Sequence, residues 1–275
     1  MSHWTLDDVP WKEFDATKVD PELVRIVKAA SLVEYNGHEY VKYLCNVFDD
    51  DAALQTDVRR WGGEEVQHGE VLARWAKLAD PSFDFDAAFK RFTTGYHLET
   101  QVDASIRGSR AGELIARCIV ETGTSSYYTA LADVTNEPVL KDICKKIAAD
   151  ELRHYKLFYS SLKTYLDRDG LGFWGRLGIA VSRIRESEDD ELAYAYYAAN
   201  HADEPYDRQR WTRAYVGRAY SVYRQHHVER GIAMVLKAVG LPPNGKLNRV
   251  ASRFAWFTMR TRAKRFSRYG TVAAA

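Results

Sequence analysis

Cysteine is scarce in this chain. Cys45, Cys118 and Cys144 are the only three, and no two form a C-x-x-C pair. That excludes a rubredoxin-type or zinc-ribbon module within these residues. Isolated thiols on apolar helix faces are expected to be small buried hydrophobes in a reducing compartment. Long hydrophobic runs are missing too, so no transmembrane helix is expected. The opening residues, MSHWTLDDVPWKEFD, are acidic and lack the apolar core of a secretory signal, which points to the cytoplasm. Nor is there an excess of one charge: 39 Lys plus Arg face 38 Asp plus Glu. Net charge therefore suggests neither nucleic acid nor a membrane. Strand-period alternation is nowhere as strong as the helical period, so the class is all-α.

What is present is a series of helical faces. Residues 1–20 read as an irregular arm with Trp4 and Trp11 as packing anchors. Pro21 suits the first turn of a helix, and Leu23, Val27, Ala30, Glu34, Val41, Cys45 and Phe48 fit one side of it. The run Asp49-Asp50-Asp51 ends that helix and can cap the next. The second shows Leu54, Val58, Trp61, Glu65, His68, Leu72 and Trp75 on one face and ends near Asp80-Pro81. Residues 82–108 are less regular. A third helix follows Gly108-Ser109, with Leu114, Cys118, Glu121, Ser125, Tyr128 and Leu131 on one face. The fourth, after the Asn136-Glu137-Pro138 turn, presents Leu140, Cys144, Ile147, Glu151, His154, Phe158 and Tyr165. The expected organisation is an arm over 1–20, a four-helix bundle over 21–168, further helices over 169–243 and a basic, aromatic segment over 244–275. Within 169–243, the acidic run Glu186 to Glu191 should open a Tyr-rich helix through Asn200. Residues 206–239 read as one long helix stopped by Gly240 and Pro242-Pro243.

Two Glu-x-x-His motifs interrupt these apolar faces: Glu65-Val66-Gln67-His68 and Glu151-Leu152-Arg153-His154. At i,i+3, both side chains of a pair leave one helix face. Each motif has a partner glutamate on the preceding helix, Glu34 at 31 residues before Glu65 and Glu121 at 30 before Glu151. In an antiparallel pair, residues equally far from the turn lie at one height. Glu34 is 15 positions before Asp49, and Glu65 is 14 beyond Asp51. Four glutamates and two histidines should thus meet at one level, and the near-equal spacings read as an internal repeat of helix pairs. Four buried, unpaired carboxylates would be prohibitive; two divalent cations would balance them. Carboxylate-rich sites with imidazole suit iron, and a Mn/Fe pair as well.

Other residues belong to this neighbourhood. Glu64 and Asp150 each precede a candidate ligand and could accept the N–H of a metal-bound imidazole on a facing helix. The bland alternative is an exposed acid. His38, one turn after Glu34, is a candidate further ligand or supporting group, although a hydrogen-bonded core or surface histidine is the more ordinary reading. Glu39 competes with Glu34 at a worse height. Gly62-Gly63 costs about 0.5–1 kcal/mol per glycine inside a helix, which suggests close packing or space beside the metals. Thr124, at i+3 from Glu121, could face bound oxygen. His226-His227 with Glu229 also looks metal-like, but it is isolated on a charged helix, where a solvated face is expected.

At these residues the sequence resembles the ferritin-like di-iron superfamily, and within it the acyl-acyl-carrier-protein desaturases. That family carries Glu-Glu-Asn-Arg-His-Gly on one helix and Asp-Glu-Lys-Arg-His on another. This chain has Glu64-Glu65-Val66-Gln67-His68-Gly69 and Asp150-Glu151-Leu152-Arg153-His154. The family's threonine three residues after its third-helix glutamate matches Thr124. The first glutamate departs from the pattern, standing in Val33-Glu34-Tyr35-Asn36-Gly37 where the family has Asp-Glu-Thr-Gly. The resemblance covers roughly 22–166. It implies O2-dependent di-iron chemistry on an unactivated C–H bond, an apolar or carrier-bound acyl substrate, and electrons from a ferredoxin-type partner. Hydroxylases and N-oxygenases share the ligand pattern, so ligands define the cofactor better than the substrate. A storage role of ferritin type is the competing class, yet this chain adds about 100 residues beyond the bundle, enough to build a substrate pocket. The missing C-x-x-C pairs remove the electron-transfer domain of a rubrerythrin-like peroxidase. A ribonucleotide reductase small subunit would carry Asp where Glu34 stands. A homodimer through bundle helices is expected, and no nucleic-acid partner. Residues 244–269 hold eight Lys or Arg and no acid, interleaved with aromatics. They could dock an acidic carrier protein or an anionic membrane surface, or pack as a helix with a solvated basic face.

Overall fold

The computed structural model describes residues 3–186, 190–267 and 269. Met1 and Ser2 of the arm, residues 187–189 of the acidic run, and residues 268 and 270–275 of the basic segment lie outside the described residues. Every regular element among those described is helical.

Four long rods form the bundle. The first is two helices, α1 (Pro21–Tyr35) and α2 (Gly37–Val47), which pack on α3 (Ala52–Ala79). The other pair is α5 (Arg110–Val134) and α6 (Pro138–Asp169), with α4 (Phe85–Gly95) in the connection between pairs. Capping side chains fix the helix starts. Asp20 accepts from Glu22 N, Asp51 from Leu54 N and Ser109 from Gly112 N. Glu137, fully buried, accepts from Val139 N and Leu140 N, from Trp75 Nε1, and from Asp15 N of the arm. Gly170 closes α6 in the left-handed conformation.

The single first helix read from the sequence is a correction. It breaks at Asn36, whose N–H turns back to Val33 O, while the Asn36 side chain bonds Glu39. Glycine explains why the chain can pass here. A Cβ at Gly37 would sit 2.7 Å from Glu65 Cβ, and one at Gly69 would sit 2.4 Å from Tyr35 N. The junction therefore lies against the middle of α3. Gly62 meets Val41 in the same way, whereas Gly63 faces open space.

Beyond the bundle come α7 (Phe173–Glu186), α8 (Asp190–Asn200), α9 (Arg208–Ser221), α10 (Gln225–Ala238) and α11 (Lys246–Phe266). The expected long helix over 206–239 is instead α9 and α10. His227 Nδ1 accepts the N–H of Arg224 and so caps α10 three residues before it could continue α9. Helix α8 lies on α1 and α4, α9 on α8 and α11, and α10 on α5 and α11.

The apolar core falls into two clusters. One takes the α1 side chains, the second half of α3 (Val71 to Ala76), the end of α5 (Tyr127 to Ala132) and the start of α6 (Val139 to Ala148), together with α8 and α9. The other takes α2, the first half of α3 (Leu54 to Trp61), the start of α5 (Ala111 to Ile119) and the end of α6 (Tyr155 to Tyr165). Between them the bundle has a layer of charged side chains.

Candidate metal centre

That layer is made by Glu34 in the last turn of α1, Glu65 and His68 on α3, Glu121 on α5, and Glu151 and His154 on α6. All six are buried, none more than 7% exposed. Their donor atoms form two overlapping groups: Glu34, Glu65, His68 and Glu151, and Glu65, Glu121, Glu151 and His154. Within each, one atom per residue lies within 4.8 Å of the others. Glu65 and Glu151 belong to both. His68 Nδ1 is 3.2 Å from Glu151 Oε1, and His154 Nδ1 is 3.0 Å from Glu65 Oε1 and 3.6 Å from Glu121 Oε2.

These contacts are close but not aligned as hydrogen bonds. Glu65 Oε1, His68 Nδ1, both Glu121 oxygens, Glu151 Oε1 and His154 Nδ1 are all buried without a hydrogen-bond partner. Leaving even one such atom unpaired costs about 1–3 kcal/mol. Six converging on one layer, as imidazole nitrogens and carboxylate oxygens, are the donor set of a divalent transition metal. The residues fit a pair of metal ions.

The outer nitrogens are pinned crosswise. His68 of α3 meets Asp150 of α6 (Nε2 to Oδ2, 3.1 Å), and His154 of α6 meets Glu64 of α3 (Nε2 to Oε2, 2.8 Å). A carboxylate there keeps the proton on Nε2 and leaves the Nδ1 lone pair facing inward. Arg153 joins both carboxylates. Burial opposes ionisation of Asp150, but the His68 hydrogen bond and charge hold its carboxyl at about 2. Glu64 is lowered by His154 against the same opposition.

Inside the layer the carboxyls diverge. Burial, then the charges of Glu65 and Glu151, push Glu34 well above the ordinary carboxylate range. Burial raises Glu121 as well. Glu151 is held low, against burial, by the imidazoles of His154 and His68. Burial disfavours charge on His68, yet Asp150 and Glu151 raise it to about 9. His154 is raised, also against burial, by Glu121, Glu151, Glu64 and Glu65. Four buried carboxylates thus call for positive charge inside the layer, for which protons and a divalent metal would compete.

Thr124 donates to Glu151 Oε2 at 2.6 Å, so its hydroxyl is engaged by a carboxylate of the layer. His38 is exposed and joins none of this; the break at Asn36 intervenes between it and Glu34. Glu39 is tied to Asn36. His227 is buried, not solvated as its charged helix suggested. Its Nδ1 caps α10 while Nε2 meets Asp133 at 3.0 Å, with the exposed His226 beside it at 3.3 Å. Both His227 nitrogens are therefore used.

Three contributors were not picked out from the sequence. Tyr128 donates to Glu34 Oε1 at 2.5 Å; it stands seven residues after Glu121 on the same face, a readable signal. Trp4 donates to Asp150 Oδ2 at 2.7 Å and stacks on His68, and His3 lies 2.9 Å from the same oxygen. Contacts spanning some 146 positions leave no local pattern.

An all-helical bundle with paired Glu-x-x-His helices is the architecture of the ferritin-like superfamily. Residues 39–173 match the family model described as fatty acid desaturase, and over this stretch the chain is similar to the acyl-acyl-carrier-protein desaturases of that superfamily. Five of the six converging residues lie inside the match and Glu34 lies just before it. No curated protein matches the chain. No helix among the described residues is long and apolar enough to cross a membrane.

Proposed function

We propose that this protein is an oxidoreductase that holds two iron ions and uses O2 to desaturate an apolar, fatty-acyl substrate. The observation that carries the reading is the pair of overlapping donor groups sharing Glu65 and Glu151, with unpaired imidazole nitrogens turned inward. The desaturase match supports the reaction class.

In this reading Glu34 and His68 would hold one iron and Glu121 and His154 the other, with Glu65 and Glu151, which belong to both donor groups, available to either. When bound, the iron pair supplies the O2 chemistry that removes hydrogen from an unactivated C–H bond. Overall, the acyl chain loses two hydrogens as its double bond forms. O2 takes these together with two electrons and two protons from outside, giving two waters, and a ferredoxin-type protein is the proposed donor. The chain's own residues position and protect. Asp150 and Glu64 hold the imidazole tautomers. Thr124 fixes one Glu151 oxygen by donating a hydrogen bond to it. The two apolar clusters above and below keep the layer dry.

The test is metal content by plasma mass spectrometry on protein made in iron-supplemented medium, beside the Glu65→Ala/Glu151→Ala double variant. The reading expects about two metal ions per chain, lost in the variant, and an acyl product lighter by two hydrogens after anaerobic reduction and mixing with O2. Iron or an iron–manganese pair satisfies the first expectation. A folded parent without transition metal overturns the site, and a hydroxylated or N-oxygenated product overturns the reaction class.

A further inference from the structure

Helix α11 packs on α9 and α10 through Ser252 and its part-buried neighbours Trp256, Met259 and Ala263. The opposite face is apolar and uncovered. Leu247 is 51% exposed, Val250 68%, Phe254 73% and Phe257 68%. At i, i+3, i+7 and i+10 they form one ridge, about 15 Å long at 1.5 Å per residue. Lys246, Arg249, Arg253, Arg260 and Lys264 follow one flank of that ridge at helical spacing, all exposed. None of the five forms an ion pair among the described residues. No Asp or Glu occurs from Gly240 to Ala275, although the whole chain is nearly neutral. Arg260 and Lys264 also line a cleft of about 450 Å³ between α11 and α9, beside Trp256 and Tyr220.

We infer that α11 is an in-plane docking helix for an anionic lipid bilayer. Its apolar ridge enters the headgroup–acyl boundary, and its basic flank lies among acidic headgroups. A helix in this orientation needs apolar side chains on one face and cations beside them, whose alkyl stems let the charge reach the headgroups. Other occupants fit less well. A two-fold contact of α11 with its own copy would set one basic row against its equal, and α11 itself carries no acid to offset it. A protein partner would need a groove for four protruding side chains as well as acids along the flank, whereas a bilayer supplies both features in a plane. The surface is separate from the carboxylate layer, so it stands or falls apart from the proposed reaction.

The experiment is co-sedimentation of the full-length, metal-loaded protein with vesicles of phosphatidylcholine alone or mixed in equal parts with phosphatidylglycerol. Binding is expected to the mixed vesicles and to weaken at least about tenfold on pure phosphatidylcholine, since each basic residue near an anionic surface contributes on the order of 1 kcal/mol. Phe254→Ser/Phe257→Ser and, separately, Arg253→Glu/Arg260→Glu should each lower binding by a similar factor. Ile106→Ser, which removes an exposed apolar side chain outside α11, should leave it unchanged. Thermal melts of each variant establish that it is folded. No binding to the mixed vesicles, equal binding by the α11 variants, or a self-association that those variants abolish would overturn the assignment.

Discussion

The two helix pairs of the bundle carry the same four-residue pattern in different surroundings. In the pair α5–α6, Glu121 stands in the middle of an unbroken helix, and Thr124 on the same helix secures Glu151. In the other pair, Glu34 sits one residue from the end of α1, at a break where Gly37, Gly62 and Gly69 let backbone and side chains close in. Its carboxylate is fixed by Tyr128 of the opposite pair. A shared spacing of ligand types therefore does not impose shared rigidity. One glutamate is set by its helix, the other by its neighbours.

The largest expected effect tests whether the halves are equal in metal binding. Glu151→Ala removes a donor common to both groups, so it should empty the site, whereas Glu121→Ala should leave about one metal per chain. Mass spectrometry of both variants decides it; equal retention would mean that Glu151 is not shared. Next is a stability contrast. Gly69→Ala would force a methyl onto the Tyr35 backbone and should cost roughly 1–3 kcal/mol or more. Gly123→Ala, exposed with nothing within 4 Å, should gain about 0.5–1 kcal/mol from helix preference. Urea melts giving the same sign for both would remove the contrast. The smallest effect is pH-dependent. Lys28 of α1 pairs with Asp80 at the end of α3 and, against burial, holds its carboxyl at about 2, below its ordinary 3.8. A depressed folded value stabilises above the ordinary one and fades as pH falls from about 4 to about 2. Since about a third of the Asp80 side chain (32%) stays in contact with solvent, screening keeps the expected cost of Asp80→Asn under about 1 kcal/mol at neutral pH, with the gap to the parent closing in that acid window.

Periodicity made the bundle readable. Glu65 with His68 and Glu151 with His154 are pairs that any helix sets on one face, and Asp51, Pro138 and Gly170 mark ends by local chemistry. Equal distance from a tight turn then brought the partner glutamates into view. The breaks at Asn36 and at Val222–Arg224 were hidden because apolar spacing continues across both. What interrupts the first is a close approach to α3 that only the folded chain contains. At the second, a histidine that looked like a ligand is a cap. The contacts of Trp4 and His3 with Asp150 depend on where the arm returns after the bundle has formed, and no periodicity encodes that.

The charged layer also has a kinetic side. It divides the interior into two apolar clusters, each with its own aromatic anchors: Trp75 and Trp211 in one, Phe48 and Phe158 in the other. Collapse can begin independently in either, leaving the carboxylates as a seam that apolar packing alone does not close. Metal loading would then act as a rivet through that seam, adding a tie between two clusters otherwise joined through the continuous helices α3, α5 and α6. Amide hydrogens near Glu65, Glu121 and Glu151 are where opening of the seam would first register in hydrogen exchange, and where a chelator would quicken it.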